Sequence, residues 1–264
     1  MTILSNLKIA IEASLMAGKE IMKIYETEDF DVDFKSDDSP LTKADIASHN
    51  IIVELLQQTQ VPVLSEEGKE MPYSIRKEWD TLWIVDPIDG TKEFIKRNGE
   101  FTVNIALIEN NSPILGVIYV PALEQLYFSA TGLGSYKVND IVECGELEEL
   151  IDSASKLPIK DPSRPYTVVA SRSHLSEETK GFIDELRKKH GEIETISKGS
   201  SLKLCMVAEG QADCYPRFAP TMEWDTAAGQ AICRYAGIDV IDYKTQETMK
   251  YNRENLLNNW FLVK

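Results

Sequence analysis

Residues 82–94 read LWIVDPIDGTKEF. Four apolar residues, Leu82 to Val85, run directly into Asp86, and Asp89 follows three positions later. An apolar run of this length between polar segments indicates a buried strand. Carboxylates almost never lie buried without partners, so a strand that ends on two of them needs something to hold their charge. Protonation, basic partners or hard cations could each do so.

Two other apolar elements also carry acids at their ends. Glu66 and Glu67 follow the short strand pattern VPVL, and Asp225 stands at the start of a helical pattern. Lys69 and Lys92 are the basic residues near these acids in the sequence, and they are few for so many carboxylates. Mg²⁺ prefers carboxylate, carbonyl and water oxygens and commonly bridges them to phosphates. Convergence of the three strand and helix ends would therefore create a magnesium site.

The turn DPIDGT strengthens this interpretation. Pro87 fixes its own φ and begins a tight turn, which folds Asp86 and Asp89 toward one point and aims the Ile88 carbonyl there. Gly90 allows a phosphate to approach the backbone closely. The free N–H groups that begin at Thr91 could hold an anion if that segment is helical. The alternative is an ordinary Asp-rich turn that ends a strand.

Composition narrows the class of protein. The 264 residues allow one large domain or two closely packed lobes, with 43% hydrophobic and 27% charged residues. A net charge of −15 opposes binding to nucleic-acid backbones. The four cysteines form no C-x-x-C pair, which argues against a zinc site or a disulfide framework and fits a reducing compartment.

The N-terminal segment predicts a helix rather than a targeting signal. Charged residues such as Lys8 and Glu12 interrupt any apolar core of a signal peptide, and Leu4, Leu7 and Ile11 fall at helical spacing. No apolar run reaches the ~20 residues that a membrane span needs. A cytoplasmic protein is expected, with no obligate protein partner.

Hydrophobic periodicity divides the chain into a first half with an antiparallel meander and a second half in which helix and strand alternate. The proline-rich segment 152–165 is the predicted boundary, which gives lobes 1–155 and 156–264. The first half has predicted helices to Tyr25 and at 41–59, a loop or hairpin at 26–40, strands at 61–68 and 81–91, and a meander at 100–130. The second half has predicted strands at 166–171, 193–197 and 212–218, and helices at 176–191, 200–210 and from near Asp225.

Three motifs in order resemble the signatures of the inositol monophosphatase superfamily, whose members are Mg²⁺-dependent, lithium-sensitive phosphatases. They are LSEEG (64–68), DPIDGT (86–91) and EWDTAAG (223–229), and the resemblance spans essentially the whole chain. It implies the α/β (α+β) fold of that superfamily and of fructose-1,6-bisphosphatase, a layered αβαβα sandwich.

The second half resembles one branch of this superfamily, the 3'(2'),5'-bisphosphate nucleotidases. The segments that carry this resemblance are ASRSHLS (170–176), KGSSLKLCMVAEGQADCYPRF (198–218) and EWDTAAGQAI (223–232). The branch removes the 3'-phosphate of 3'-phosphoadenosine 5'-phosphate (PAP), which gives AMP and phosphate and recycles a by-product of sulfate assimilation. PAPS, its sulfated relative, is an alternative substrate. The resemblance leaves open whether the protein is a monomer or a homodimer, and whether it associates peripherally with the inner membrane.

The resemblance assigns metal ligands residue by residue. Glu66, Asp86 and the Ile88 carbonyl would hold one Mg²⁺, Asp86, Asp89 and Asp225 would hold a second, and a third, weaker ion would lie near Glu66. Glu67 is expected to have a supporting or structural role.

The resemblance also assigns the catalytic pair and the substrate contacts. Asp45 would accept a hydrogen bond from the Thr91 hydroxyl, which orients the attacking water. The phosphate side of the substrate would lie against Glu66, Ile88, Asp89, Gly90, Thr91 and Asp225. The nucleotide side would lie against Ser171, His174, Gly199 and Lys203, with Arg217 as a further candidate. His49 and His190 have no such support.

Two alternatives to a PAP phosphatase share the same carboxylates. An inositol or sugar monophosphatase would use the same metal site without depending on Lys203. A sensor that binds metal and nucleotide without turnover would not need Asp45 and Thr91 as well as the ligands, and both residues are present.

Overall fold

A seven-stranded mixed sheet forms the centre of the fold, in the order β3-β4-β5-β6-β7-β8-β9. The computed structural model describes residues 1–27, 33–34, 40–159, 161, 163–171 and 176–264. Its helices are α1 (Ile3–Tyr25), α2 (Lys43–Leu56), α3 (Tyr73–Arg76), α4 (Thr91–Ile95), α5 (Leu147–Ser153), α6 (Glu177–His190), α7 (Leu202–Glu209) and α8 (Glu223–Tyr235). Its strands are β1 (Asp33–Phe34), β2 (Pro40–Leu41), β3 (Val63–Ser65), β4 (Thr81–Asp89), β5 (Thr102–Glu109), β6 (Ser112–Val120), β7 (Gln125–Ala130), β8 (Gly134–Val138), β9 (Ser155–Lys156), β10 (Thr167–Ser171), β11 (Glu194–Lys198), β12 (Tyr215–Arg217), β13 (Val240–Asp242) and β14 (Phe261–Val263).

Strand β4 is buried on both faces because helices cover the sheet on both sides. Trp83 and Val85 belong to the core shared with α1 and α2, whereas Leu82 and Ile84 belong to the core shared with α7 and α8. This alternation follows the two-residue period of a strand. The strand pairs in parallel with β3 and antiparallel with β5, so its acidic end lies beside the ends of both neighbours.

Five layers result from this arrangement. Helices α1 and α2 cover one face of the large sheet, and α7 and α8 cover the other. Beyond α7 lie the parallel pair β10-β11 and the three-stranded sheet β12-β14-β13, which a bridge between Val168 and Cys214 connects. Helix α6 packs outside them, against β12. The layered αβαβα prediction is confirmed.

Most predicted elements are present, with shorter boundaries. The predicted helix 41–59 begins at Lys43, because the Thr42 side chain accepts a hydrogen bond from Ala44 N and so caps the helix, and it ends in a 3₁₀ turn over Gln57–Thr59. The predicted strand 61–68 covers only Val63–Ser65, since the chain turns where Gly68 N donates to Ser65 O. The last predicted helix begins at Glu223.

One predicted element lies partly outside the described residues. The predicted hairpin at 26–40 has the antiparallel pair β1-β2, while residues 28–32 and 35–39 lie outside the described residues. The predicted meander is confirmed and extends through β8 and β9. The four cysteines are free thiols, as the sequence predicts. Among the described residues, no helix has the length and apolarity needed to cross a membrane.

Candidate metal and phosphate site

Three carboxylates converge where β4 ends. Oxygens of Asp86, Asp89 and Asp225 lie within 4.8 Å of one another. Asp86 and Asp89 flank a break in the β4–β5 register, and this irregularity brings both acids toward the same side of the strand end. Asp225 comes from the first turn of α8, where its Oδ2 accepts a hydrogen bond from Met222 N at 2.8 Å.

The electrostatics of this cluster are unfavourable without a cation. Burial, together with the charges of Glu66, Asp89, Asp225 and Asp45, raises the pKa of Asp86 well above its usual range. Burial and Asp89 likewise raise the pKa of Asp225. The buried Oδ1 of Asp86 has no hydrogen-bond partner among the described residues. Three converging carboxylates and an unsatisfied oxygen fit a hard divalent cation.

The remaining predicted ligands lie beside this cluster. Glu66 directly follows β3, and its backbone N donates to Val85 O at 3.1 Å, which places it next to Asp86. Ile88 is buried in the core, so its carbonyl is the group it offers to the site. The adjacent Pro87 carbonyl accepts a hydrogen bond from Ser48 Oγ at 2.8 Å, which fixes the turn from the α2 side.

Asp45 and Thr91 lie together, as the resemblance implies. Thr91 Oγ1 donates to Asp45 Oδ1 at 3.2 Å and also lies 3.3 Å from Ile88 O. Asp45 Oδ2 accepts from the Thr42 backbone N at 2.7 Å and from its hydroxyl at 2.6 Å. Burial raises the pKa of Asp45, whose side chain is almost fully enclosed. One carboxylate oxygen is thus committed to capping α2, and the other faces Thr91.

The backbone conformation at position 90 requires a glycine. Its φ of +95° lies in the region that favours glycine, and a Cβ would stand 3.1 Å from Glu100 O. This conformation ends β4 and allows α4 to start at Thr91, so the segment after the turn is helical.

A cavity of about 410 Å³ opens beside the carboxylates. Asp89, Gly90 and Asp225 line one part of it. The basic side chains that line it are Lys92, Lys96, Lys198, Lys203 and Arg217. Glu93 and Glu100 also line the cavity, and Lys198 Nζ lies 3.3 Å from Glu100 Oε1. The basic side chains beside the carboxylates suit an anionic small molecule.

Lys203 lies deeper than the sequence suggests. It is 6% exposed, and its ammonium donates to the Lys198 and Ser200 carbonyls. Burial lowers the pKa of Lys203 to about 8, and the charge of Asp89 opposes this change. Part of its hydrogen-bonding capacity therefore holds the 198–201 loop in place. Arg217 donates through Nη2 to Pro220 O at 2.9 Å.

The 198–201 loop contains contacts that sequence reasoning missed. Ser200 Oγ donates to Asp89 Oδ2 at 2.8 Å, and Gly199 N donates to Glu100 Oε2 at 2.8 Å. Ser200 has φ +53°, an uncommon conformation for a residue with a side chain. Such backbone outliers occur often at functional sites. The motif KGSSLK contains Ser200, but only the fold shows that its hydroxyl faces Asp89.

The other residues considered from the sequence lie away from the carboxylate cluster or outside the described residues. Ser171 pairs through its backbone with Lys198, next to Gly199, while its side chain and His174 lie outside the described residues. His49 Nδ1 lies 2.8 Å from Ser65 Oγ, and His190 stacks on Tyr166. These two histidines have local structural contacts.

Comparison with known proteins places the chain in a family. The family model described as "Inositol monophosphatase family" matches residues 4–262. The 3'(2'),5'-bisphosphate nucleotidase CysQ of Escherichia coli K12 is 47% identical over 250 residues, which is 94% of each chain. The crystal structure of CysQ from Bacteroides thetaiotaomicron superposes with a TM-score of 0.91 at 55% identity and covers 98% of this chain and 97% of that one.

A solved structure of lower sequence identity has the same fold. An IMPase of Thermotoga maritima has a TM-score of 0.75 at 22% identity, over 98% of this chain and 92% of its own, and that likeness concerns the fold alone. The sequence match over nearly the full length, the shared layers and the converging carboxylates agree with one another. The chain belongs to the inositol monophosphatase family and, within it, to the branch of the CysQ bisphosphate nucleotidases.

Proposed function

We propose that this protein is a Mg²⁺-dependent phosphatase that removes the 3'-phosphate of PAP to give AMP and phosphate, and so recycles a by-product of sulfate assimilation. The observation that carries the proposal is the position of the three carboxylates, which line or adjoin a cavity rich in lysine and arginine. The bisphosphate nucleotidases to which the chain is similar support the choice of a nucleotide. PAPS carries an additional sulfo group on the 5'-phosphate and keeps the same 3'-phosphate, so it is the second substrate to test.

The residues that would hold magnesium are the carboxylates of Glu66, Asp86, Asp89 and Asp225 and the carbonyl of Ile88. The family is metal-dependent, and an all-oxygen donor set favours Mg²⁺ over softer ions. We infer two ions at these ligands and a third, weaker one near Glu66. Bound Mg²⁺ would supply Lewis-acid activation of the phosphoryl group and of the attacking water.

The chain supplies a proton acceptor through Asp45 and Thr91. Because Thr42 engages Asp45 Oδ2, only Oδ1 is left to accept the Thr91 proton, which sets the direction of that hydroxyl. The lone pairs of Thr91 Oγ1 then remain to orient a water toward the substrate. Burial of Asp45 raises its pKa, which makes it a better acceptor than an exposed aspartate.

Substrate orientation is assigned to the basic wall of the cavity. A nucleotide with two phosphates presents one to the carboxylate end and needs cations for the other. Lys203 and Arg217 lie on the side formed by α7 and β12, and Gly199 lies in the loop between them and Asp89. We assign the nucleotide side of the substrate to these residues together with Ser171 and His174.

The test is a substrate panel at fixed Mg²⁺ with phosphate release as the readout. PAP, PAPS, inositol 1-phosphate and fructose 1,6-bisphosphate are compared, with a metal-free reaction and a reaction containing Li⁺ as controls. We expect PAP to have the highest kcat/KM, with activity abolished without Mg²⁺ and inhibited by Li⁺. Full activity on inositol 1-phosphate without turnover of PAP would contradict the proposal.

A further inference from the structure

A buried polar cluster surrounds the first turn of α8, two residues from Asp225. Glu223 is fully enclosed, and its carboxylate accepts hydrogen bonds from Asn252 N at 2.6 Å and from Arg253 N and Nε at 3.1 and 3.0 Å. Glu223 N in turn donates to Leu256 O at 3.0 Å. The segment from Asn252 to Leu256 is therefore fastened to the start of α8 through one side chain and its own backbone.

The same segment, Asn252 to Leu256, is also hydrogen-bonded to α3. Arg76 is 3% exposed and donates from Nη1 to Asn252 Oδ1 and to Arg253 O, at 3.0 and 2.7 Å, and from Nη2 to Glu254 O at 2.9 Å. Asn252 Nδ2 returns a hydrogen bond to Arg76 O at 2.7 Å. These contacts join residues that lie at least 176 positions apart in a chain of 264 residues.

The same cluster reaches the backbone that orients Asp225. Arg253 Nη2 donates to Asn258 Oδ1 at 2.7 Å, and Asn258 Nδ2 donates to Met222 O at 2.7 Å. Met222 N is the group that donates to Asp225 Oδ2. A displacement of Met222 would therefore turn the Asp225 carboxylate away from Asp86 and Asp89.

On the α3 side, the cluster reaches the segment that follows Glu66. Arg76 Nε donates to Met71 O at 3.2 Å, five residues after Glu66. The cluster thus contacts Met222, which binds Asp225, and the segment that begins five residues after Glu66. Buried charged networks of this kind are costly unless every member is satisfied, and a plain helix start needs only a capping side chain.

We propose that Glu223, Arg253, Asn252 and Arg76 form a clamp that positions Asp225 against Asp86 and Asp89 and thereby sets the affinity for the divalent cation. The clamp rests on the proposed function, because it concerns the same metal site. Glu223 and Arg253 are positioning residues, since they act through Met222 and touch neither the substrate nor the three converging carboxylates.

Magnesium binding without substrate tests the clamp. Isothermal titration with Mg²⁺ alone gives the dissociation constants of wild type, Glu223→Gln, Glu223→Asp and Arg253→Lys, and thermal unfolding without metal gives their stability. Leu115→Ala is the matched control, because Leu115 is a fully buried residue of β6 that pairs with Leu107, away from the acidic end of β4. It should lower the melting temperature without acting on the metal site.

Glu223→Gln keeps the shape of the side chain, removes its charge and replaces one acceptor oxygen by an NH₂ donor that opposes at least the Asn252 N–H. We expect it to weaken Mg²⁺ binding by about 10- to 100-fold, the range found when groups that orient metal ligands are changed. Glu223→Asp and Arg253→Lys keep the charge of the side chain. They should therefore weaken Mg²⁺ binding less than Glu223→Gln does. At saturating Mg²⁺, the KM for PAP should change less than twofold, because the residues assigned to the nucleotide side of the substrate are untouched.

Wild-type Mg²⁺ affinity in Glu223→Gln, with a lower melting temperature, would overturn the clamp and leave a purely structural role. An equal loss of affinity in Leu115→Ala would overturn it as well. If Glu223→Gln does not fold, Arg253→Gln gives the same test, since the Arg253 side chain is 29% exposed. If the variants lose Mg²⁺ affinity while wild type binds Mg²⁺ but does not hydrolyse PAP, the clamp stands and the proposed function fails. No Mg²⁺ binding by wild type would overturn both.

Discussion

Asp86 is the residue whose burial most needs a cation. It is 1% exposed, and four other carboxylates raise its pKa together with its burial. An aspartate in that position destabilises the folded protein by itself, because like charges repel strongly where water is excluded. Stability is lowered here so that a cation is bound tightly, which is a common relation between stability and function at active sites.

Replacement of Asp86 by Asn should therefore have opposite effects on stability and activity. The metal-free protein should melt higher, by about 2–4 °C for each kcal/mol of repulsion removed. The rise in melting temperature that Mg²⁺ causes in wild type should disappear. Phosphate release from PAP should fall by about 10³-fold or more, as for the loss of a preorganised electrostatic group.

Thermal unfolding with and without Mg²⁺, beside steady-state kinetics, measures these effects. A lower melting temperature in metal-free Asp86→Asn would contradict the repulsion that we infer. Turnover retained at saturating Mg²⁺, with only metal affinity lost, would contradict a catalytic site and favour a metal and nucleotide sensor.

A second residue to test is Thr91, whose hydroxyl is proposed to connect Asp45 with the attacking water. Thr91→Ala should lower kcat by about 10²–10⁴-fold, the usual contribution of a positioned proton acceptor. The Mg²⁺ affinity should stay close to that of wild type, because Thr91 is not among the proposed ligands. Thr91→Ser keeps the hydroxyl and is the matched control.

Kinetics of both Thr91 variants at saturating Mg²⁺ provide the measurement. Equal kcat values for Thr91→Ala and wild type would show that the hydrogen bond to Asp45 has no part in catalysis. A large loss in Thr91→Ser would point to packing of the methyl group instead.

At the scale of elements, the close approach of α8 to β6 sets how near Asp225 comes to the strand ends. A Cβ at Gly116 of β6 would stand 2.4 Å from Ala228 O and 2.7 Å from Ala231 Cβ. The small residues of α8 that face it, with Ala227 also buried, let the helix lie directly on the sheet. Any added bulk there must move the helix that carries Asp225.

Gly116→Ala is accordingly expected to cost about 1–3 kcal/mol through overpacking. Gly181→Ala is the control, because Gly181 lies in α6 with nothing within 4 Å of an added Cβ. That change should stabilise the protein by about 0.5–1 kcal/mol, since alanine is a better helix former than glycine.

Urea unfolding of the two variants measures both free energies. Similar stability for the two would contradict the tight packing of α8 on β6. A Gly116→Ala variant that also binds Mg²⁺ more weakly would show that the position of the helix controls the metal site.

At the scale of the whole molecule, a buried ion pair connects the large sheet with the helical layer of the second half. Lys137 Nζ of β8 lies 2.8 Å from Glu209 Oε1 at the end of α7, and both side chains are at most 10% exposed. Tyr127 OH donates to the other carboxylate oxygen at 2.9 Å. The predicted boundary between lobes at residues 155 and 156 stays a prediction, and these contacts cross it.

Lys137→Met should destabilise the protein by about 3–5 kcal/mol, because it leaves Glu209 charged and buried without its partner. Adding Glu209→Gln, which keeps an acceptor for Tyr127, should recover a large part of that loss. The four proteins form a double-mutant cycle, measured by urea unfolding with fluorescence and circular dichroism as separate probes.

We expect the two probes to give one coincident transition, since the ion pair and the packing of α8 couple the halves. Two separate transitions would support independently folding lobes. No recovery in the double variant would show that the lysine stabilises the sheet by its packing instead of its charge.

The sequence alone was sufficient to predict the periodic elements, the family and the acids at the ends of the strands. The alternation of Leu82 to Val85 depends only on local geometry, and the motifs around Glu66, Asp86 and Asp225 keep their order along the chain. The hydrogen bond from Thr91 to Asp45 was implied only by the resemblance. Element ends were less well predicted, because caps and turns such as those at Thr42 and Gly68 depend on individual hydrogen bonds.

Tertiary structure decided what lies around those acids. Ser200 reaches Asp89, Lys203 holds the 198–201 loop, and Glu223 connects α8 with Arg76 across distant parts of the chain. None of these contacts has a local pattern, because each joins residues whose distance in space is set by the packing of whole layers. Periodicity and motif order reflect the chain's own geometry, whereas the partner of a buried charge is determined only when the layers pack and remove its water.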